Sequence, residues 1–310
     1  MIPPVRYTLR QLRYFVATAN TGSIAAAARQ IHISQPSISA AIASLEASFG
    51  IQLFLRNHAS GLSLTPEGEA FLQKACSFLQ QAHDLEAAMS GLSGKVTGEV
   101  HIGCMSTLYP FVGPLLHRVF QTRYPQAHLR IMTGHHRDLT EKLRRGDICA
   151  MICYDLQLDP DVDFHPCAAL PPFVLVGETH PLRLRETVAL REVMDQKFIL
   201  LNLPVSRDYF VSIFARSHIE LSNFECVDCM DTVRSLVAHG HGFSLLNVRP
   251  RNRASLDGSP LYYLRLSDDV PVLRYGLASI DNGWNNPRLT LLREICDTYL
   301  VGNEMPGTEP

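Results

Sequence analysis

The stretch LRYFVATANTGSIAAAARQIHISQPSISAAIASLEASFGIQLFLRN, residues 12–57, decides how the chain begins. Thr8 stands just ahead of it with Gln11 three residues on, the spacing at which a hydroxyl caps a helix and an amide side chain reaches back. Leu12, Phe15, Val16 and Ala19 then form one apolar stripe, and Gly22 ends the helix. Ser23 caps a short alanine-rich helix, Ile24 to Gln30, whose small side chains let a neighbouring backbone approach closely. After a turn over Ile31 to Ser34, Ser34 caps a third helix with Pro36 in its first turn, where a missing amide costs nothing. Ile38, Ile42, Leu45 and Phe49 fall on the buried face of this helix, and Gly50 stops it. The opposite face opens with Gln35, Ser37 and Ser39, side chains short enough to reach base edges or phosphates from a helix N-terminus in a major groove. A hairpin bearing Arg56 follows, so the pattern predicts an all-α helix-turn-helix with a wing.

Charge agrees with a nucleic-acid partner. Residues 1–66 hold Arg6, Arg10, Arg13, Arg29 and Arg56 against the single acid Glu46, a net +4, whereas the whole chain is −2 and residues 67–310 therefore −6. Affinity for DNA rises steeply with the number of phosphates neutralised, so one head alone is expected to bind weakly and a pair much better.

From Leu9 through LFLRN (53–57) to LTPEG (64–68) the sequence resembles the LysR-type transcriptional regulators, over the winged helix-turn-helix and the start of its linker. The resemblance implies DNA contact from Ser23, Ser34, Gln35, Pro36, Ser37 and Ser39. Where relatives commonly carry a long polar or basic side chain in the middle of the recognition helix, this chain has Ala40 and Ala41, which throws base contact onto Gln35, Ser37 and Ser39. Its wing reads Arg56-Asn57-His58-Ala59-Ser60-Gly61 where relatives usually have two arginines, so phosphate or minor-groove contact is carried over to Arg56, with Asn57 and His58 beside it.

Thr65 caps and Pro66 opens the next helix. In it Phe71, Ala75, Phe78, Ala82, Leu85 and Met89 follow at alternating four- and three-residue intervals, the seam of a coiled coil, which requires a second copy of the helix. The seam is short and has two alanines, so the head and the C-terminal region are expected to help hold the dimer. Gly91, Gly94 and Gly98 then break the pattern as a hinge. The expected organisation is a DNA-binding head over 1–66, a dimerisation helix over 67–90, a hinge over 91–98 and an effector-binding region over 99–302.

From Val100 onward short apolar runs alternate with amphipathic stretches, which argues for parallel sheets covered by helices. Strands are expected at Val100–Cys104, Leu129–Thr133, Cys149–Tyr154, Phe173–Gly177, Phe198–Leu201, Phe224–Val227, Phe243–Leu246 and Arg274–Ile280. The family resemblance, weaker here and resting on element order and on VRSLVAHGHG (233–242) before FSLLN, implies two α/β lobes like those of periplasmic binding proteins. Lobe one would span 99–167 and 271–302, and lobe two 168–270, with two strands crossing between them.

A small molecule would bind between such lobes, at the carboxyl ends of strands and the amino ends of the helices that follow. Ser106 and Thr107 follow the first strand and are expected to open a helix whose free amides suit an anion. His135 and His136 follow the second strand, Tyr154 and Asp155 the third. On the other lobe Ser206, Arg207 and Tyr209 open a helix after FILL, and Asn247 ends FSLLN; the planar fork of Arg207 matches a carboxylate. A small organic acid is the expected effector.

The eight cysteines accompany neither an N-terminal signal nor an apolar run of membrane length, which points to a cytoplasmic chain with reduced thiols and no membrane partner. Cys226 and Cys229 form the one close Cys-x-x-Cys pair and leave a thiol-based redox sensor as an alternative, although Glu225, Asp228 and Asp231 beside them would raise a thiol pKa. The histidines at 135, 136, 239 and 241 lack a ligand set of recognised spacing, so neither a metal site nor any other cofactor is expected. No Gly-rich phosphate loop, Gly-x-Ser-x-Gly elbow or His-Glu-x-x-His helix occurs, which argues against an enzyme. A small-molecule binding module without DNA reading is the other alternative, but it leaves the first ninety residues unexplained. The sequence is read as a DNA-binding transcriptional regulator of the LysR type. The resemblance adds a homo-oligomer, a tetramer of dimers, and contact with RNA polymerase.

Overall fold

The structure, a computed structural model, describes residues 5–57, 61–91, 98–280, 287–301 and 305–308. The chain divides into two compact units, residues 1–95 with 141–147, and residues 96–140 with 148–310.

The first unit opens with α1 (Leu9–Thr21), α2 (Ile24–Gln30) and α3 (Gln35–Phe49). Thr8 and Gln11 form the capping box: the Gln11 amide donates to Thr8 Oγ1 at 3.2 Å, and the Thr8 amide to Gln11 Oε1 at 2.8 Å. Gly22 and Gly50 end α1 and α3 at φ 64° and 68°, left-handed backbone that favours glycine. Leu12, Phe15, Ala27, Ile38, Leu45 and Leu53 form the core; full burial of a side chain such as Phe15 or Leu45 contributes roughly 1.5–3 kcal/mol. Phe49 departs from expectation, because at 42% exposed it lies on the rim, its ring against Tyr7 and Phe71 at 5.5 and 5.0 Å. As the last residue of α3 it has core on one side only.

The wing is an antiparallel pair, β1 (Phe54–Asn57) and β2 (Gly61–Leu64), and Leu62 donates its amide to the Gly22 carbonyl at 2.9 Å. Thr65 caps α4 (Pro66–Gly91), accepting from the Gly68 amide at 2.8 Å while its hydroxyl donates to the Gln52 carbonyl at 2.7 Å. Of the expected seam, Phe71 and Ala75 pack into the head's own core, Ala82 is half-buried, and Phe78 and Leu85 are exposed. The Met89 side chain, Gly94 and most of the hinge lie outside the described residues.

β3 (Gly98–Met105), α5 (Tyr109–Arg123), β4 (Ala127–Gly134), α6 (His136–Arg145), β5 (Ala150–Tyr154) and β6 (Asp163–Leu170) build most of lobe one, all in the second unit except residues 141–145 of α6, which group with the first. The chain then forms lobe two from β7 (Phe173–Gly177), β8 (Thr187–Val188), β9 (Phe198–Leu201), α7 (Ser206–Arg216), β10 (Phe224–Val227), α8 (Met230–Ala238), β11 (Ser244–Leu246) and β12 (Leu261–Leu266). It returns to lobe one as β13 (Leu273–Ser279) and α9 (Pro287–Tyr299). Lobe one's sheet has the order β4-β3-β5-β13-β6, and lobe two pairs β11-β7-β12-β8 beside β10-β9. β5 and β7 are buried at every residue, as their unbroken apolar runs require of strands covered on both faces.

Two expectations need correction. The sheets are mixed rather than parallel: β13 runs antiparallel to β5 and β6, and β7 antiparallel to β11 and β12. Strand direction is set by the excursion through the other lobe, which no local pattern records. The strands β6 and β12 also went unexpected; Pro166 interrupts the alternation of β6, whereas LYYLRL of β12 does carry a strand composition.

Candidate DNA-reading face and effector cleft

Every residue expected to contact DNA that has a described side chain lies at the start of α2 or α3. Ser23 and Ser34 act as caps, accepting from the amides of Ala26 and Ser37 at 3.4 Å, and the Ser34 hydroxyl bonds that of Ser37 at 2.7 Å. Gln35, Pro36 and Ser37 are exposed and Ser39 is half-buried on the same face. Ala40 is exposed, but Ala41 is buried in the head and cannot face a base. Arg56 and Asn57 belong to β1 by their backbone, while their side chains and the whole of His58 lie outside the described residues.

In lobe one the loop after β3 does not open a helix at Ser106. Its amide and hydroxyl both donate to the Gly134 carbonyl, at 3.1 and 3.3 Å, and α5 starts only at Tyr109, so the expected free amide at Ser106 is absent. Thr107 instead pairs with Tyr154 across the sheet end, Oγ1 to Oη at 3.1 Å, and burial pushes the Tyr154 hydroxyl well above its ordinary range. The His135 carbonyl accepts from the Leu139 amide at 3.0 Å and opens α6. The next residue, His136, is only 6% exposed and its Nδ1 has no partner. Burial lowers its pKa, with Asp159 pulling the other way. Asp155 faces the returning strand and accepts from Arg274 at 2.8 Å (amide) and 2.7 Å (Nε).

In lobe two Ser206 is the first residue of α7 and buried, and Val205 before it holds φ 71°, a conformation a β-branched residue keeps only when its surroundings impose it. Arg207 is exposed. Tyr209 and Asn247 are committed to the strands that join the lobes. Tyr209 Oη donates to the Pro271 carbonyl at 2.8 Å, and Asn247 Nδ2 donates to the Leu170 carbonyl at 2.7 Å and to Tyr209 Oη at 3.1 Å. Burial pushes the Tyr209 hydroxyl up to about 12, which keeps it a donor. Among the described residues Asn247 Oδ1 is buried without a partner. Beyond these strands Gln157 Nε2 donates to Asp208 Oδ2 at 3.4 Å from lobe to lobe, and the Arg251 amide and Nε donate to the carbonyls of Gly307 and Thr308 in the tail after α9, each at 2.9 Å. Sequence reading named His136 after the second strand but missed Gln157 and Asp208; position in the first turn of α7 was the signal for Asp208.

Cys226 and Cys229 are both exposed free thiols. The Thr232 amide at the open end of α8 lowers the Cys229 pKa and outweighs Asp231, the reverse of what neighbouring acids alone implied. Among the described residues no helix is long and apolar enough to cross a membrane.

Two family models match the chain: the bacterial regulatory helix-turn-helix protein of the lysR family over residues 9–69, and the LysR substrate binding domain over residues 93–300. The HTH-type transcriptional regulator TfdS of Cupriavidus pinatubonensis is 30% identical over 282 residues, 86% of this chain and 95% of the relative. Among solved structures, HinK, a LysR family transcriptional regulator from Pseudomonas aeruginosa, is 33% identical with TM-score 0.62, over 95% of this chain and 99% of that one. A full-length OxyR variant from the same organism is 26% identical with TM-score 0.74, over 99% of both chains. With a helix-turn-helix head at one end and a matched two-lobed α/β region at the other, the chain belongs to the LysR family of DNA-binding transcriptional regulators.

Proposed function

We propose that this regulator binds a small organic acid between its two lobes and reads DNA as a homo-oligomer in the cytoplasm, without catalysis. What supports the reading is that Thr107 and Tyr154 end strands on lobe one, buried Ser206 and Asn247 follow strands on lobe two, and Gln157 of lobe one bonds Asp208 in the first turn of α7. The N-terminus of α7 supplies its dipole, though the Arg207 amide is spent on the Leu203 carbonyl at 3.0 Å, and the exposed Arg207 side chain supplies charge for a carboxylate. Binding shifts the population of lobe arrangements, and the spacing of paired heads changes with it. The heads comprise residues 1–66, the linker 67–90 and the effector region 99–302. Exposed Phe78 and Leu85 favour a dimer seam along α4, completed by Ala82 and Met89, with Phe71 and Ala75 anchoring it to the head. Pairing of dimers into a tetramer and contact with RNA polymerase complete the reading.

The test is selection of sheared genomic DNA by the full-length chain, with footprints on recovered sites over a panel of mono- and dicarboxylates. The expected result is recovery of two-fold related half-sites and a footprint that changes with one of the acids. Ser206→Ala, Arg207→Ala or Thr107→Val should abolish that change and leave acid-free binding intact. Acid-dependent footprints that persist in all three variants would overturn the cleft.

A further inference from the structure

The segment Met305–Thr308, downstream of α9, follows lobe one along the chain but bonds to lobe two. It is a tight turn. Thr308 donates its amide to the Met305 carbonyl at 3.1 Å, with Pro306 in the second position and Gly307 in the third at φ 75°, the pattern of a type II turn. The Thr308 hydroxyl donates to the same carbonyl at 2.6 Å, and Met305 and Thr308 are both buried. Pro and Gly at these positions set the shape of the turn before it meets any partner.

On lobe two the turn meets the segment after β11. Thr308 and Pro250 form an antiparallel bridge, beside the two bonds from Arg251 to Gly307 and Thr308. Lobe two holds this receiving segment from behind: Tyr263 of β12 donates its hydroxyl to the Pro250 carbonyl at 3.0 Å, and buried Arg234 of α8 donates to the carbonyls of Asn252 and Ala254 at 2.7 and 2.8 Å. On lobe one the turn lies beside α5, where a Cβ at Gly307 would stand 3.7 Å from the Phe111 ring. Upstream of it, α9 is fixed by buried Leu292, Ile295 and Cys296 and by Asp297, bonded to His165 of β6 at 2.7 Å. Both attachments of the turn thus lead into packed structure, one in each lobe.

We propose that Met305–Thr308 is a releasable strap that holds the two lobes in the arrangement seen here, and that rotation of the lobes requires the turn to leave Pro250 and Arg251. The strap regulates the cleft and so rests on the reading of that cleft given above, since it matters only if the lobes move. Its hydrogen bonds re-form with water on release, so their net hold is small beside that of the covalent crossings from β6 to β7 and from β12 to β13. It is the connection that can open while both lobes stay folded.

Hydrogen exchange of the full-length chain, read by peptide mass spectrometry with no acid added, tests the strap. In the intact chain the Arg251 amide is expected to be protected. Deletion of residues 305–308 should speed exchange severalfold there, and also at a distance: in the peptides that hold Gln157 and Asp208, which link the lobes elsewhere, and in the crossing segments 168–173 and 268–274. Gly307→Ala strains the turn at its positive φ and leaves every bonding side chain in place, so it should speed exchange in the same peptides by less. If the deletion does not fold, Gly307→Ala carries the test. Faster exchange confined to residues 250–254 would make the turn a local cover, and an unprotected Arg251 amide in the intact chain would mean that the turn is not seated; either result overturns the proposal. No ligand enters the measurement, so a failure of the cleft reading would appear in the footprints and not here.

Discussion

Asn247 and Tyr209 hydrogen-bond to each other, Nδ2 to Oη at 3.1 Å, and each also grips a different strand joining the lobes: Asn247 the carbonyl of Leu170, Tyr209 that of Pro271. The pair is a clasp on both crossing points. Asn247→Leu leaves the Leu170 carbonyl buried and unmet, and should cost about 1–3 kcal/mol, whereas Tyr209→Phe should cost about 1 kcal/mol. Because the partners share a bond, the double variant should lose less than the sum, with a coupling of at least about 0.5 kcal/mol in urea denaturation. Strict additivity would show that the two groups act separately.

His136 and His180 are both held below the ordinary histidine value by burial. The unfolded chain then binds more protons than the folded one just below pH 6.5, so stability is intact above that pH, falls as pH drops from there to the lowered values, and levels off below them. Urea midpoints at pH 7.5, 6 and 5 should decline, and His136→Gln should flatten the decline. Stability that rises on acidification would contradict both burials.

On the reading face, Ser37 is already bonded to the cap Ser34, while Gln35 leads the exposed start of α3. Gln35→Ala should relax base preference by about 1–3 kcal/mol at one position of each half-site, in competition binding with point-mutated sites. Arg56→Ala should instead weaken binding to all sequences and lower the salt slope by about one. Equal loss on every sequence from Gln35→Ala would assign that residue to the phosphates.

Thiol reactivity should be uneven. Cys229 is exposed and lowered by the Thr232 amide, whereas burial pushes Cys76 up to about 11 and Cys104 and Cys153 higher still. Alkylation followed by peptide mass spectrometry at pH 7.5 should modify Cys229 well before these three. Early labelling of Cys104 would mean that lobe one opens.

The head was legible residue by residue because its signals are local: Thr8 with Gln11, Ser23, Ser34 and Pro36, and the glycines at 22 and 50 each act within four positions of themselves. β7 and β9 were legible for the same reason, as unbroken β-forming runs at the stated bounds, and β10 kept its bounds despite Glu225 within it. The candidate cleft was legible only in outline. Strand ends place Tyr154, Ser206, Tyr209 and Asn247 near the crossing point, but two of the four spend their polar atoms on carbonyls of Leu170 and Pro271, and main-chain groups look alike in any sequence. Phe71 and Ala75 show the same limit, since seam spacing does not tell a helix which neighbour it will meet.

Thr65 bonds β1's flank at Gln52 and the first turn of α4 at once, and Gly68 lies so close to the Leu53 carbonyl that a Cβ would stand 2.1 Å from it. With Ala75 buried in the same core and Phe71 packed against it, the base of α4 and the head form one packed unit. If α4 pairs as proposed, the angle at which two heads meet a duplex is set by the crossing of two helices rather than within either head.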